Sequence, residues 1–310
     1  GKDRLEDAGI SILKGMDLIS PCIDDRYLWL GSMKGLYRYD TRTGALKYYS
    51  SLSQTVALRD NRIGTMFMSD MGDLYVGTTL GLSRYDRERD RFESLDVFNG
   101  INITDLEEDS SGMIWVSTYA DGIFRYDPVN EKVDACYSAE AAGQYHLHTD
   151  KISSLLVDSK DRVWAVGLTY GFAIYDRGRK CFVSYDSRTY PNMGTDMYFN
   201  ALEDNDGHIW LSSDRGLLEV DPVTMGMSQY TVNDGLLDNV MKRGTLKTLD
   251  GDMYFASRRG FVRFNPSKFS GGMRRQSNVY LSGLTIADRL VRPYDPESPL
   301  DRNIDLVDRI

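Results

Sequence analysis

The sequence predicts an all-β fold, a propeller of four-stranded antiparallel blades, and three observations carry the prediction. All four tryptophans occupy one place in a recurring phrase: Trp29 in LWLGSMKGLYRYD, Trp115 in IWVSTYADGIFRYD, Trp164 in VWAVGLTYGFAIYD and Trp210 in IWLSSDRGLLEVD. Two further copies carry tyrosine there, Tyr75 in LYVGTTLGLSRYD and Tyr254 in MYFASRRGFVRFN, and the six copies follow one another at 40 to 49 residues. No long segment has the 3.6-residue period of a helix, which excludes a helical solenoid of similar repeat length.

Each repeat reads as four strands. An apolar first segment, such as 103–106, 152–157 or 199–202, ends in an acidic turn. These turns are Asp109-Ser-Ser-Gly112, Asp158-Ser-Lys-Asp161, Asp204-Asn-Asp-Gly207 and Asp250-Gly251. Asp and Asn side chains bond backbone N–H groups two residues on, so the turns are tight hairpins. The Trp strand follows, then a loop of two or three residues and a glycine (Gly35, Gly81, Gly122, Gly171, Gly216, Gly260). A third strand runs into Tyr-Asp, and a more polar fourth strand closes the unit, as at 47–49, 92–94 and 182–185. Four antiparallel strands repeated six times at this spacing are the arithmetic of a propeller, whose blades bury both faces against their neighbours.

The ends depart from the pattern. Residues 1–15 hold one candidate strand, Ile10–Leu13, expected to complete the last blade and latch the ring; the propeller is expected over 16–270. Residues 271–310 read as a linker and the start of a further β module, with an alternating strand pair in NVYLSGLTIADRLVRP. The chain opens Gly1-Lys2-Asp3 without an initiator Met or a signal-peptide apolar region, and reads as a mature form or an excised piece.

Composition narrows function without assigning it. The net charge of −9 argues against a nucleic-acid partner, which needs a cationic surface to displace counterions. No apolar run reaches a membrane-spanning length. Cys22, Cys136 and Cys181 match no zinc spacing and lie in three different repeats, so they are expected to be unpaired. The Asp204–Gly207 turn mimics half an EF-hand loop, but His208-Ile209-Trp210 enters a strand at once, so the expectation is a structural hairpin. These turns are also similar to the Asp box of sialidases, itself a structural hairpin. His146 and His148 stand two apart in a long loop and are read as ligand-lining or solvated residues. No metal and no cofactor are expected. No G-x-S-x-G elbow, H-E-x-x-H or Walker-type loop is present, and 46 acidic residues are too many to single out a glycosidase pair.

The phrases EDSSGMIWVSTYADGIFRYD and EDNDGHIWLSSDRGLLEVD resemble the regulator-propeller repeat of sensor domains in Bacteroides-type hybrid two-component systems. GDMYFASRRGFVRFNPSKF is similar to that family's terminal blade, and NVYLSGLTIADRLV to the first strands of the small β-sandwich module that follows it. The resemblance covers roughly residues 16–295; it departs in showing six blades where the family norm is seven. It implies a periplasmic, non-enzymatic sensor module that binds an oligosaccharide, pairs with a second sensor chain and signals to a kinase elsewhere. The alternatives are a propeller enzyme acting on glycans, a lyase or glycosidase, or a protein-interaction scaffold.

The ring itself suggests where a ligand binds. Loops between second and third strands gather at one mouth of a propeller, and here they present Lys34, Tyr119, Asp121, Tyr170, Asp214, Arg215, Arg258 and Arg259. Closure of six repeats predicts that Arg258 and Arg259 neighbour Lys34, with Arg215 one blade away and the tyrosines opposite. Arg forks grip carboxylate or sulfate and Tyr faces stack on pyranose rings, so an acidic oligosaccharide is the expected ligand.

Overall fold

The computed structural model describes residues 18–52, 58–140, 147–268, 284–286 and 289–291. The chain divides into two compact units, Gly1–Pro266 and Ser267–Ile310. Among the described residues of the second unit is a short antiparallel hairpin, Leu284–Ile286 with Arg289–Val291, where the sequence suggests a strand pair. The Ile10–Leu13 segment lies outside the described residues.

The first unit is a succession of six antiparallel sheets, one for each Trp or Tyr phrase. Sheets one to five have four strands in simple up-and-down order; sheet six has three among the described residues. The first and innermost strands are Leu18–Ile23, Ile63–Met68, Ile103–Glu108, Ile152–Val157, Tyr198–Glu203 and Met241–Lys247. Each of the first five packs against the inner strand of the next sheet. Between successive sheets lie the apolar clusters: Trp29, Tyr49, Leu74, Tyr85 and Phe92 between the first two, and Trp115, Ile152, Leu155, Tyr175 and Phe182 between the third and fourth. The core is therefore a series of flat interfaces, and the aromatic payload of each Trp is spent on the neighbouring sheet. The Trp115 ring meets Tyr175 edge-on at 4.7 Å, and Trp29 meets Tyr85 at 4.8 Å. Within the described residues no helix exceeds a single 3₁₀ turn of three residues.

The structure ties each tryptophan to its turn. The indole Nε1–H donates to a carboxylate of the turn, six residues upstream for Trp115 to Asp109 at 2.9 Å, Trp164 to Asp158 at 2.8 Å and Trp210 to Asp204 at 2.9 Å, and, more weakly, five residues upstream for Trp29 to Asp24 at 3.5 Å. The other carboxylate oxygen takes backbone N–H groups of the turn, as Asp204 does from Asp206 and His208. In the two repeats with tyrosine, the same place holds Ser69 and Thr248, whose hydroxyls accept from Asp73 and Asp252 N–H. A tyrosine ring presents no N–H at that depth, so no carboxylate is required. A buried indole N–H without an acceptor costs about 1–3 kcal/mol, which is why Trp and Asp occur together. The Asp204–Gly207 turn is accordingly a structural hairpin.

Every inner strand breaks register against its neighbour near its start: between Ile19 and Pro21, Ile63 and Thr65, Ile103 and Asp105, Ile152 and Ser154, Tyr198 and Asn200, and Met241 and Thr245. In two of them the bulged residue turns its side chain to the next sheet. Ser20 Oγ donates to the Gly64 carbonyl and Ser153 Oγ to the Tyr198 carbonyl, both at 3.0 Å.

One expectation is not met among the described residues. No packing of the kind that joins successive inner strands joins that of sheet six to that of sheet one. The outward faces agree: Tyr254, counterpart of the fully buried Tyr75, is only half-buried, as is Tyr39, counterpart of the buried Tyr85 and Tyr126. Ile23 and Leu246 are exposed on the same two end sheets. The three cysteines are free thiols, as their placement in separate repeats implies. No helix of the described residues is long and apolar enough to cross a membrane.

Candidate functional site

The loops between second and third strands are built to one plan. A Ser or Thr ends the second strand and donates to the carbonyl of the glycine that opens the third. These bonds are Ser32 to Gly35 at 2.7 Å, Thr78 to Gly81, Thr118 to Gly122 and Ser213 to Gly216 at 2.9 Å, and Ser257 to Gly260 at 3.2 Å. The same hydroxyl accepts a loop N–H, from Lys34, Leu80, Asp121, Arg215 and Arg259 respectively. Repeat four has Gly167 in place of the hydroxyl residue, and Thr149 bonds Thr169 at 2.9 Å instead. The glycine is required because its φ is positive, +75° at Gly122, and a Cβ there would meet the Tyr137 carbonyl oxygen at 2.1 Å.

These loops meet the segments that cross between sheets. Tyr119 N–H donates to Asn102 O, Leu168 N–H to Lys151 O, Gly171 N–H to Asp196 O and Arg258 N–H to Val240 O. A polar face results, with all eight sequence-nominated residues on or beside it. Tyr119 and Tyr170 are 45% and 48% exposed. Asp214 is fastened by Thr195 Oγ1 at 2.7 Å. Arg258 Nε donates to Asp238 at 3.3 Å. The Val240 N–H, with Arg258 and Arg259 beside it, keeps the Asp238 carboxyl below its usual range. Lys34 is exposed, and its carbonyl accepts from Tyr48. The juxtaposition of Lys34 with Arg258 and Arg259 depends on closure between sheets six and one, which the described residues do not supply.

The structure adds residues that sequence reasoning missed. Tyr170 holds a left-handed φ of +64°, rare for an aromatic residue, and the Arg188 guanidinium lies 5.6 Å from its ring centroid. Arg188 in turn grips the buried Asp186 through Nε at 3.1 Å, and His148 Nδ1 lies 3.2 Å from the same carboxylate. Together with Ala139 and Leu147, residues His148, Tyr170 and Arg188 line an open cleft of about 350 Å³. His148 is thus a lining residue, as expected, while His146 lies outside the described residues. Arg188 carried no signal of its own, because Asp186-Ser-Arg188 sits in a sheet-to-sheet crossing whose course the repeat does not specify.

A second grouping stands at the centre. Asp105, on the inner strand of sheet three, accepts from Ser154 Oγ at 2.8 Å and Leu155 N–H at 3.0 Å, both on sheet four. Burial pushes its carboxyl upward, against those bonds and the nearby Arg243 of sheet six. Burial also raises Glu107, which shares a strand face with Asp105, well above the usual carboxylate range. Arg243 remains solvent-accessible but is ringed by protein, and its guanidinium is pulled down by burial while Asp105 and Tyr119 favour its charge. Arg243 is therefore within electrostatic reach of both Tyr119 and Asp105.

No family model matches the chain. A curated relative, histidine kinase P4 of Formosa agariphila, is 24% identical over 294 residues, 76% of this chain and 21% of its own length. The extracellular domain of a hybrid two-component system from B. thetaiotaomicron superposes with a TM-score of 0.64 at 17% identity, over 81% of this chain and 34% of that one. PorZ, a surface component of the type-IX secretion system of Porphyromonas gingivalis, gives 0.63 at 16% identity over 89% of this chain and 42% of that one. Virginiamycin B lyase of Staphylococcus aureus gives 0.60 at 10% identity over 80% and 84% of the two chains. These likenesses show the propeller fold. The chain spans about a fifth of its curated relative and about a third of the B. thetaiotaomicron domain.

Proposed function

We propose that this chain is the ligand-binding, extracytoplasmic part of a hybrid two-component sensor, and that it binds an acidic oligosaccharide on the loop face. The observation that carries the reading is the pairing of an exposed tyrosine with an arginine on that face, Tyr170 with Arg188 at 5.6 Å. Aromatic faces take the apolar side of a sugar ring, and guanidinium forks take its carboxylate or sulfate. The likeness to a histidine kinase and to a two-component extracellular domain supports placing that recognition upstream of signalling. A periplasmic location and pairing with a second sensor chain belong to the same proposal. Binding would then shift the population of two packing arrangements, transmitting outward through the chain ends.

A thermal-shift panel of acidic and neutral oligosaccharides, read at low and high salt with product analysis, tests this. Acidic members at about 100 Kd are expected to add roughly 2.7 kcal/mol, a shift of several degrees that shrinks as salt screens the contact. Release of new reducing or unsaturated ends would establish the enzyme reading instead. Shifts by neutral sugars alone would remove the arginines from recognition.

A further inference from the structure

Four of the six repeats share a charge arrangement at the opposite end of the strands, one lacks it and one inverts it. The residue paired across the sheet from the Trp or Tyr is Arg38, Arg84, Arg125 and Arg263 in four repeats, and Ile174 in the fourth. In repeat five it is Glu219, opposite Trp210. The carboxylates that accept the other indole N–H groups each have an arginine within reach: Asp24 has Arg87 at 3.4 Å, Asp109 has Arg125 and Arg177 at 3.7 Å, and Asp158 has Arg162 at 2.6 Å. Asp204 has none among the described residues. Its ion-pair partner is His208, whose Nδ1 lies 3.8 Å from Asp204 Oδ2 and 3.1 Å from Glu219 Oε1. Arg162 reaches repeat five at the Pro222 carbonyl, but its guanidinium is engaged by Asp158.

We propose that Asp204, His208 and Glu219 form a binding site for a first-row divalent metal ion, with Zn²⁺ as its probe. The three donor atoms lie within 4.8 Å of one another, against about 3.3 Å between ligands of a tetrahedral zinc with bonds near 2.0–2.1 Å, so shifts of an ångström or less assemble them. One imidazole nitrogen and two carboxylate oxygens are a donor set that suits Zn²⁺, and the half-exposed His208 leaves the fourth position to water. The outer contacts are in place. Tyr230 O–H donates to Glu219 Oε2 at 2.8 Å, which leaves Oε1 toward His208. Backbone N–H groups and the Trp210 indole fix both oxygens of Asp204, and Oδ2 keeps a second lone pair. A divalent ion would supply the positive charge that arginine supplies in the other repeats. The site lies at the acidic-turn end of sheet five, so it is independent of the sugar-binding proposal.

Calorimetric titration of ZnSO₄ into chelator-treated protein tests it. Wild type is expected to take up one equivalent that is absent, or at least about tenfold weaker, in Glu219→Arg and in His208→Gln. Glu219→Arg installs the residue that other repeats carry and is expected to melt at the wild-type temperature in EDTA. Should that variant misfold, His208→Gln, which keeps the site's size and a hydrogen-bonding side chain, decides alone. Unchanged uptake in His208→Gln, or no uptake by wild type at millimolar Zn²⁺, overturns the proposal.

Discussion

At Trp115 the ring is fully buried against sheet four while its one polar atom reaches back to Asp109. Truncation removes the interface filler, so Trp115→Ala is expected to cost on the order of 3–5 kcal/mol in urea unfolding. A loss below about 1 kcal/mol would mean that the ring does not carry the interface. Asp109→Ala leaves the indole N–H and two turn N–H groups without an acceptor, and about 1–3 kcal/mol is expected. The pair can be exchanged as a unit. Asp204→Ser with Trp210→Tyr copies repeat two, and the double variant is expected to lose less than the sum of the single changes. Glu107 supplies a pH test. Burial raises its folded-state pKa above the ordinary 4.5, so the folded state holds a proton that the unfolded chain has released. Its contribution is fully present below about pH 4.5 and is lost as pH rises toward the folded value. Glu107→Gln should therefore gain stability relative to wild type between pH 5 and pH 8, measured by urea midpoints. An equal pH slope in the two proteins would show that Glu107 is ionised when folded.

Strands and turns were legible because their causes are local. A period of two, an Asp turn and a positive-φ glycine each act within a few residues, and the loop plan of Ser or Thr followed by Gly repeats five times over. Gly122→Ala and Gly171→Ala test that plan. The added Cβ would lie 2.1 and 2.0 Å from carbonyl oxygens of Tyr137 and Tyr185, so each substitution is expected to cost more than the 1–3 kcal/mol of left-handed strain alone. Gly72→Ala is the control: its φ is also positive, but no atom lies within 4 Å, so only the backbone strain remains. Equal melting temperatures for Gly72→Ala and Gly122→Ala would contradict the close approach. The Asp–Trp coupling was present in the sequence as a spacing of six residues in three repeats and five in the first. It was missed because the turn alone accounted for the aspartate.

At the scale of the molecule, the order of the sheets followed from the repeat, but the closure of the row did not. Lys34 was placed beside Arg258 and Arg259 by ring geometry alone; among the described residues those arginines lie near Asp238. Arg188 and Arg243 escaped notice for a related reason: one sits in a crossing segment and the other on an inner strand, where recognition depends on which sheets face each other. Far-UV circular dichroism should show helix well below the globular average of about a third. The central claim, that the loop face recognises an acidic oligosaccharide through its tyrosines and arginines, is tested most directly by calorimetric titration of Tyr170→Gly. Glycine accepts the left-handed conformation that tyrosine holds at φ +64°, so the fold and melting temperature are expected to stay unchanged. The predicted result is affinity for the best acidic ligand at least about tenfold weaker than wild type, the scale of one lost stacking contact; affinity equal to wild type would contradict the account.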